Sequence, residues 1–184
     1  MRLWRVSDFA DLTGQGGLLA GARWHSRGRR IVYLADHPAV ALIELLVHLE
    51  VDAAELPDTF QLLAVDVTED IASETVGGLD LPIGRQKDPT FTRTVGDRWL
   101  AEGRTALLQV PSALLPATFN WLLNPVHIDA ARIKIAEIIE TPFDSRLLPP
   151  AKPAGKRRPR ARARRGRGRN PRPSGGSGRR RTRR

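Results

Sequence analysis

The chain contains no cysteine. That excludes disulfides, thiolate metal sites and a cysteine nucleophile, and it suits a reducing compartment. Aromatic residues make up only 5% of the sequence, with a single tyrosine, so Tyr33 is the one phenol available to any site. No apolar run reaches the ~20 residues that span a bilayer. The longest, around 38–49, is interrupted by Glu44 and His48. The N-terminal Met-Arg-Leu-Trp-Arg-Val-Ser-Asp lacks the apolar stretch of a signal peptide. The histidines at 25, 37, 48 and 127 show no metal-ligand spacing. Neither G-x-G-x-x-G nor G-x-x-x-x-G-K-[ST] occurs, which argues against a Rossmann or P-loop site. The expectation is a cytoplasmic protein with no metal, no resident cofactor and no membrane contact.

Acidic residues are absent from the last 33 positions. Residues 1–151 hold 14 Lys+Arg against 20 Asp+Glu, a charge of −6, whereas 152–184 hold 16 Lys+Arg and no acid, a charge of +16. The overall +10 therefore describes an acidic body with a basic tail. From Pro149 onward the composition is Pro, Ala, Gly, Ser and Arg with almost no apolar bulk, which predicts disorder. The expected organisation is a folded domain over 1–148 and a tail over 149–184. Such a tail has the charge to bind nucleic acid nonspecifically. The same composition also arises when a GC-rich gene is read past its stop or out of frame.

Within the body, the patterns predict strands at 2–6, 30–35, 60–67, 105–110, 119–123 and 131–139. Helices are predicted from Pro38 to about Glu50, with Asp36 as the cap, and from Asp88-Pro89 to Ala101. A glycine-rich loop covers 13–21, a longer loop 68–87, and a short helix 142–148. Alternation places Ile133, Ile135, Glu137 and Ile139 on one strand face. These elements form an α+β domain with a single mixed sheet.

Gly21 to Glu44 is the most informative stretch. Glu44 is a lone carboxylate on a helix that is apolar nearly all round. On a helical wheel it lies opposite Leu42, away from the broad face of Ala39, Leu42, Leu45, Leu46 and Leu49. A buried carboxylate needs donors or a cation, so Glu44 is either catalytic or structural. Arg23 presents a fork suited to phosphate, or is a loop surface charge. Trp24 beside it suits core packing as well as substrate contact. Tyr33 alternates with Val32 and Leu34, so it faces the loop side if they face the core. Ser112 follows a strand end, and Asn124 and His127 lie in a polar turn.

Six ordered blocks resemble the RES-domain family: Gly-Ala-Arg-Trp-His-Ser-Arg-Gly at 21–28, Val-Tyr-Leu-Ala at 32–35, Ala-Leu-Ile-Glu-Leu-Leu-Val-His-Leu at 41–49, Gly-Asp-Arg-Trp-Leu at 96–100, Val-Pro-Ser-Ala at 110–113 and Asn-Trp-Leu-Leu-Asn-Pro-Val-His at 120–127. The resemblance implies a fold similar to ADP-ribosyltransferases. It also implies a toxin of a type II toxin–antitoxin pair that degrades NAD⁺ by hydrolysis or phosphorolysis, with an Xre-like antitoxin as partner. It makes Arg23, Tyr33, Glu44 and Ser112 the catalytic set. Trp24, Asn124 and His127 join Arg23, Tyr33 and Ser112 as substrate contacts, with NAD⁺ as substrate. His25 departs from the pattern, where the family often has Asn. Two other readings stay open: ADP-ribosyl transfer to a macromolecule, and a nucleic-acid-binding protein acting through its tail.

Overall fold

The computed structural model describes residues 1–48, 58–76 and 88–147. Its elements are strands β1 (Arg2–Val6), β2 (Val32–Ala35), β3 (Thr59–Asp66), β4 (Ser73–Thr75), β5 (Leu107–Pro111), β6 (Phe119–Leu123) and β7 (Lys134–Pro142), and helices α1 (Gly16–Leu19), α2 (Pro38–His48) and α3 (Pro89–Glu102). The described residues belong to the first of two units, Met1–Ala151 and Lys152–Arg184. The expectations for 49–57, 77–87 and the tail from 148 onward lie outside the described residues.

The seven strands form one sheet in the order β4-β5-β6-β2-β1-β3-β7. Every pair is antiparallel except β4 and β5, which run parallel. The sheet is therefore mixed, and with its helices the domain is α+β. Side chains alternate between its two faces. One face carries Leu3, Val32, Leu34, Leu63, Val65 and Leu107, all buried in one apolar cluster. The opposite face carries Ile31, Leu108, Val110 and Leu122, with Tyr33 packed beside them, and α3 covers these through Trp99. On that same face, α2 packs Val40 and Ala41 against Ala35, Trp4 and Val6. The two helices thus share one side of the sheet.

Local chemistry sets the helix ends. Asp88 caps α3, accepting from the Thr90 and Phe91 amides, and Pro89 follows as the first helical residue. Gly103 closes α3 in the left-handed conformation, donating to the Trp99 carbonyl. At α2 the capping side chain is His37 rather than Asp36: its Nδ1 accepts from the Ala39 amide at 3.1 Å. Because Pro38 is the first helical residue, the capping position falls on residue 37.

Three further sequence expectations change. The segment predicted as loop after residue 68 contains β4, a three-residue edge strand. The alternation along β7 is broken by a bulge, where Val65 pairs with Ile135 but Ala64 with Glu137. Ala136 is the extra residue, so Glu137 and Ile139 turn to the face opposite Ile135. The glycine-rich loop includes α1, a single helical turn.

Candidate active site

The sheet face beneath α2 forms the floor of a cavity of about 430 Å³. Trp4 of β1, Tyr33 and Ala35 of β2 and Asn120 of β6 lie on this floor. Ala41, Glu44 and Leu45 of α2 form one wall, and Gly14 to His25 form the other. The volume falls within the roughly 300–1,000 Å³ of small-molecule sites.

Glu44 faces this cavity, so α2 is turned differently from the sequence expectation. The side carrying Val40, Ala41, Glu44 and Leu45 meets the sheet, while Ile43 and Val47 are exposed. The carboxylate is braced from the floor. Asn120 Nδ2 donates to Glu44 Oε1 at 2.7 Å, and Ser112 Oγ donates to the same oxygen at 3.0 Å. Ser112 in turn accepts from the amides of Leu114 and Leu115 at 3.1 and 3.2 Å. These bonds use the one donor and both lone pairs of the hydroxyl. Ser112 therefore orients Glu44 rather than lining the cavity, where its neighbour Ala113 lies instead.

Sequence reasoning missed Asn120. Its signal was a strongly polar residue inside the apolar strand Phe-Asn-Trp-Leu-Leu, two places before Leu122 on the same face. Its Oδ1 is buried and unpartnered, an acceptor left over beside the carboxylate.

The opposite wall is fixed by α3, one helix face of which grips the backbone around Arg23. Thr92 Oγ1 donates to the Arg23 carbonyl at 2.6 Å, and Arg93 Nε to the Ala22 carbonyl at 2.8 Å. Asp97 accepts from the Ser26 amide at 2.9 Å and pairs with Arg29 at 3.0 Å. Gly96 lets the two backbones touch: a Cβ there would sit 1.8 Å from the Trp24 carbonyl oxygen. This contact explains the glycine of the Gly-Asp-Arg-Trp-Leu block.

Tyr33 faces the loop side, opposite Val32 and Leu34. Its hydroxyl accepts from the Trp24 amide at 3.1 Å and meets His25 Nδ1 at 3.0 Å. Burial pushes its ionisation well above the ordinary phenol range, so it stays neutral. Its ring lines the cavity while its hydroxyl secures the loop. Trp24 also borders the cavity, but its side chain is buried against Trp99, Leu108 and Val110.

Arg23, Trp24, Tyr33 and Glu44 thus meet at one cavity, with Ser112 directly behind Glu44. Asn124 and His127 are not brought there. Asn124 is buried and caps its turn, accepting from the Val126 amide at 3.2 Å. His127 accepts from the Asp129 amide at 3.1 Å at the start of the 3₁₀ turn Ile128–Arg132. Their block acts at second hand. Pro125 abuts Gly14, which has φ +67° and no room for a Cβ against the Ile31 backbone.

A single mixed sheet with a guanidinium, a phenol ring and a braced carboxylate around one cavity defines the class. The RES domain matches residues 2–145, and the chain belongs to the RES-domain family. It is a homologue of that family's toxins. It is 44% identical over 147 residues to the Toxin Res of Pseudomonas putida, covering 80% of this chain and 99% of that one. It is 34% identical over 155 residues to the Prs ADP-ribosylating toxin of a Sphingobium species, covering 79% and 95%. The fold is similar to a chain in the crystal structure of the M. tuberculosis MbcT–MbcA toxin–antitoxin complex. There the TM-score is 0.61 at 17% identity, covering 77% of this chain and 84% of that chain. No helix among the described residues is long and apolar enough to cross a membrane.

Proposed function

We propose that this chain is the toxin of a toxin–antitoxin pair and degrades NAD⁺ by cleaving the bond between nicotinamide and ribose. The observation that carries the reading is the Glu44 carboxylate, held by Asn120 and Ser112 at the edge of a cavity that also takes in Arg23 and Tyr33. Nicotinamide leaves as a neutral base, so the reaction needs no general acid. Positive charge develops on the ribose as the bond breaks. A fixed carboxylate next to that charge stabilises the transition state more than the ground state. Its two donors keep Glu44 from collapsing onto the apolar wall and fix its direction.

Arg23 suits the pyrophosphate, because a guanidinium forks onto phosphate oxygens. Its backbone is already immobilised by α3, so less freedom is lost on binding. The Tyr33 ring offers a flat apolar surface for nicotinamide or its ribose. The acceptor is water or phosphate, and no metal or resident cofactor enters the scheme. The Sphingobium relative's name favours a second reading, ADP-ribosyl transfer to a macromolecule, which shares the same bond cleavage. The toxin–antitoxin complex of similar fold supports a proteinaceous antitoxin as partner, for which an Xre-like protein is proposed.

The test is incubation of the full chain with NAD⁺, with and without phosphate, followed by product identification. Free nicotinamide with ADP-ribose marks hydrolysis, and with ADP-ribose phosphate marks phosphorolysis. Unchanged NAD⁺ refutes the proposal. Label transferred to protein or nucleic acid in place of both small products selects the second reading.

A further inference from the structure

His25 is almost fully buried, at 3% exposure, in the wall of the cavity. Both ring nitrogens are engaged. Nε2 lies 3.1 Å from the Ala20 carbonyl oxygen, and Nδ1 lies 3.0 Å from the Tyr33 hydroxyl. A carbonyl only accepts, so Nε2 carries the proton. In the neutral ring Nδ1 is then an acceptor, and the Tyr33 hydroxyl donates to it. That leaves a Tyr33 lone pair for the Trp24 amide, as observed at 3.1 Å. The three partners define one tautomer and one direction for every proton in the set.

The chain of bonds runs from the glycine wall, at Ala20, through His25 to Tyr33 on the sheet. Beside it, the Trp24 amide is also bonded to the Tyr33 hydroxyl. The wall's own backbone bonds are local turns, such as Gly17 to Gly14 and Ala20 to Gly16, plus Ala22 to the His25 carbonyl and Gly28 to the Gly17 carbonyl, and α3 holds it only at its end, where Arg93 meets the Ala22 carbonyl. The ring also fills the space beside Gly17, where an added Cβ would stand 3.0 Å from Nε2.

We propose that His25 is a positioning residue that, as the neutral Nε2–H tautomer, latches the Gly14–Ala22 wall to Tyr33 and so holds the cavity in its ligand-ready shape. This rests on the proposed NAD⁺ reading for its kinetic consequence but not for its structural one. A protonated ring would turn Nδ1 into a donor. Two donors, the Trp24 amide and Nδ1–H, would then point at the Tyr33 oxygen, and the phenol hydrogen would have to swing out of the loop. The charged and titratable groups around the ring are Tyr33 on β2 and Asp97 and Arg93 on α3. Burial is the largest influence and lowers the imidazole's proton affinity, the Ala20 bond and Asp97 oppose it, and Arg93 adds to it. The neutral state is therefore the resting state near pH 7. The latch is complete above the ordinary histidine pKa of about 6.5 and is lost as pH falls through the folded value below it.

Two substitutions separate the halves of the latch. His25→Asn retains a polar group near the Nδ1 position for Tyr33 but cannot reach Ala20. His25→Gln can reach Ala20 but gives up the Tyr33 contact. The measurement is amide hydrogen exchange of the full chain by NMR at Ala20, Ala22 and Gly28, with KM and kcat for NAD⁺ alongside. His25→Asn should speed exchange at these amides by about tenfold or more, while His25→Gln keeps most of the protection. In the parent protein, loss of protection should track the His25 imidazole titration. KM should rise at least fivefold in His25→Asn, with a smaller fall in kcat. Protection unchanged in His25→Asn, or unchanged while His25 titrates, overturns the latch. An altered exchange pattern in a protein that never consumes NAD⁺ overturns the proposed reaction and leaves the latch standing.

Discussion

Glu44→Gln removes one charge while leaving the shape of the site nearly intact. The amide oxygen of Gln occupies the place of Oε1, where it still accepts from Asn120 Nδ2 and Ser112 Oγ. Both bonds become neutral and lose roughly half their strength. At about 1 kcal/mol or less each, that weakening is far from enough to unfold the domain. The barrier to bond cleavage responds differently, because ribose charge develops only in the transition state. Loss of a comparable electrostatic stabiliser costs about 10²–10³ in kcat, or ~2.7–4 kcal/mol. KM should change little, since the ground state carries no ribose charge for Glu44 to meet. The assay is nicotinamide release under saturating NAD⁺, paired with calorimetric binding of NAD⁺ and a thermal melt. Turnover within threefold of the parent refutes the catalytic assignment. Lost turnover together with a collapsed melting temperature makes Glu44 a structural carboxylate instead.

Two further substitutions probe how the site is held. Asn120→Leu removes the 2.7 Å donor to Glu44; a hydrogen bond to a charged group is worth about 1.5–3 kcal/mol, so steady-state assays should show kcat lowered by about 10- to 100-fold with little change in KM. Gly96→Ala places a methyl 1.8 Å from the Trp24 carbonyl oxygen, and backbone cannot step aside as a side chain does; even after the ~1 kcal/mol that alanine adds to helix propensity, a net loss of about 2 kcal/mol and a melting temperature lower by ~4–8 °C are expected, with NAD⁺ turnover falling as the Arg23 loop shifts.

Short-range patterns made most of the fold legible. Proline and capping signals fixed α3 because Asp88, Pro89 and Gly103 act locally. What escaped was set by distant partners. The β7 bulge depends on how Ile135 and Glu137 meet β3. The three-residue β4 exists only because β5 templates it. The roll of α2 escaped because a helix apolar all round carries no strong directional signal. Small residues at 40 and 41 fitting Trp4 and Val6, together with donors for Glu44, decided it. At the site, the side chains that gather at the cavity were visible as types, but their bonds were not. Ser112 could be noted as a strand-end hydroxyl, yet its commitment to Glu44 needs α2 packed over β1 and β2 with Glu44 reaching toward the ends of β5 and β6. Asn124 and His127 share a block with Asn120, and only the strand pairing separates the residue on the floor from those in the turn.

The pairing of Ala35 with Asn120 also sets an order on how the domain is made. Arg23, Tyr33 and Glu44 leave the ribosome within the first quarter of the chain. The helix that grips the Arg23 backbone begins at Pro89, and both donors to Glu44 come later, at 112 and 120. β2 lies between β1 and β6, so half of its edge waits for Phe119–Leu123. A growing chain that ends before Phe119 holds Arg23, Tyr33 and Glu44 without Asn120 to brace the carboxylate. Contacts this far apart in sequence close last during folding. A cell synthesising this domain therefore meets an assembled site only once the greater part of the body has been translated.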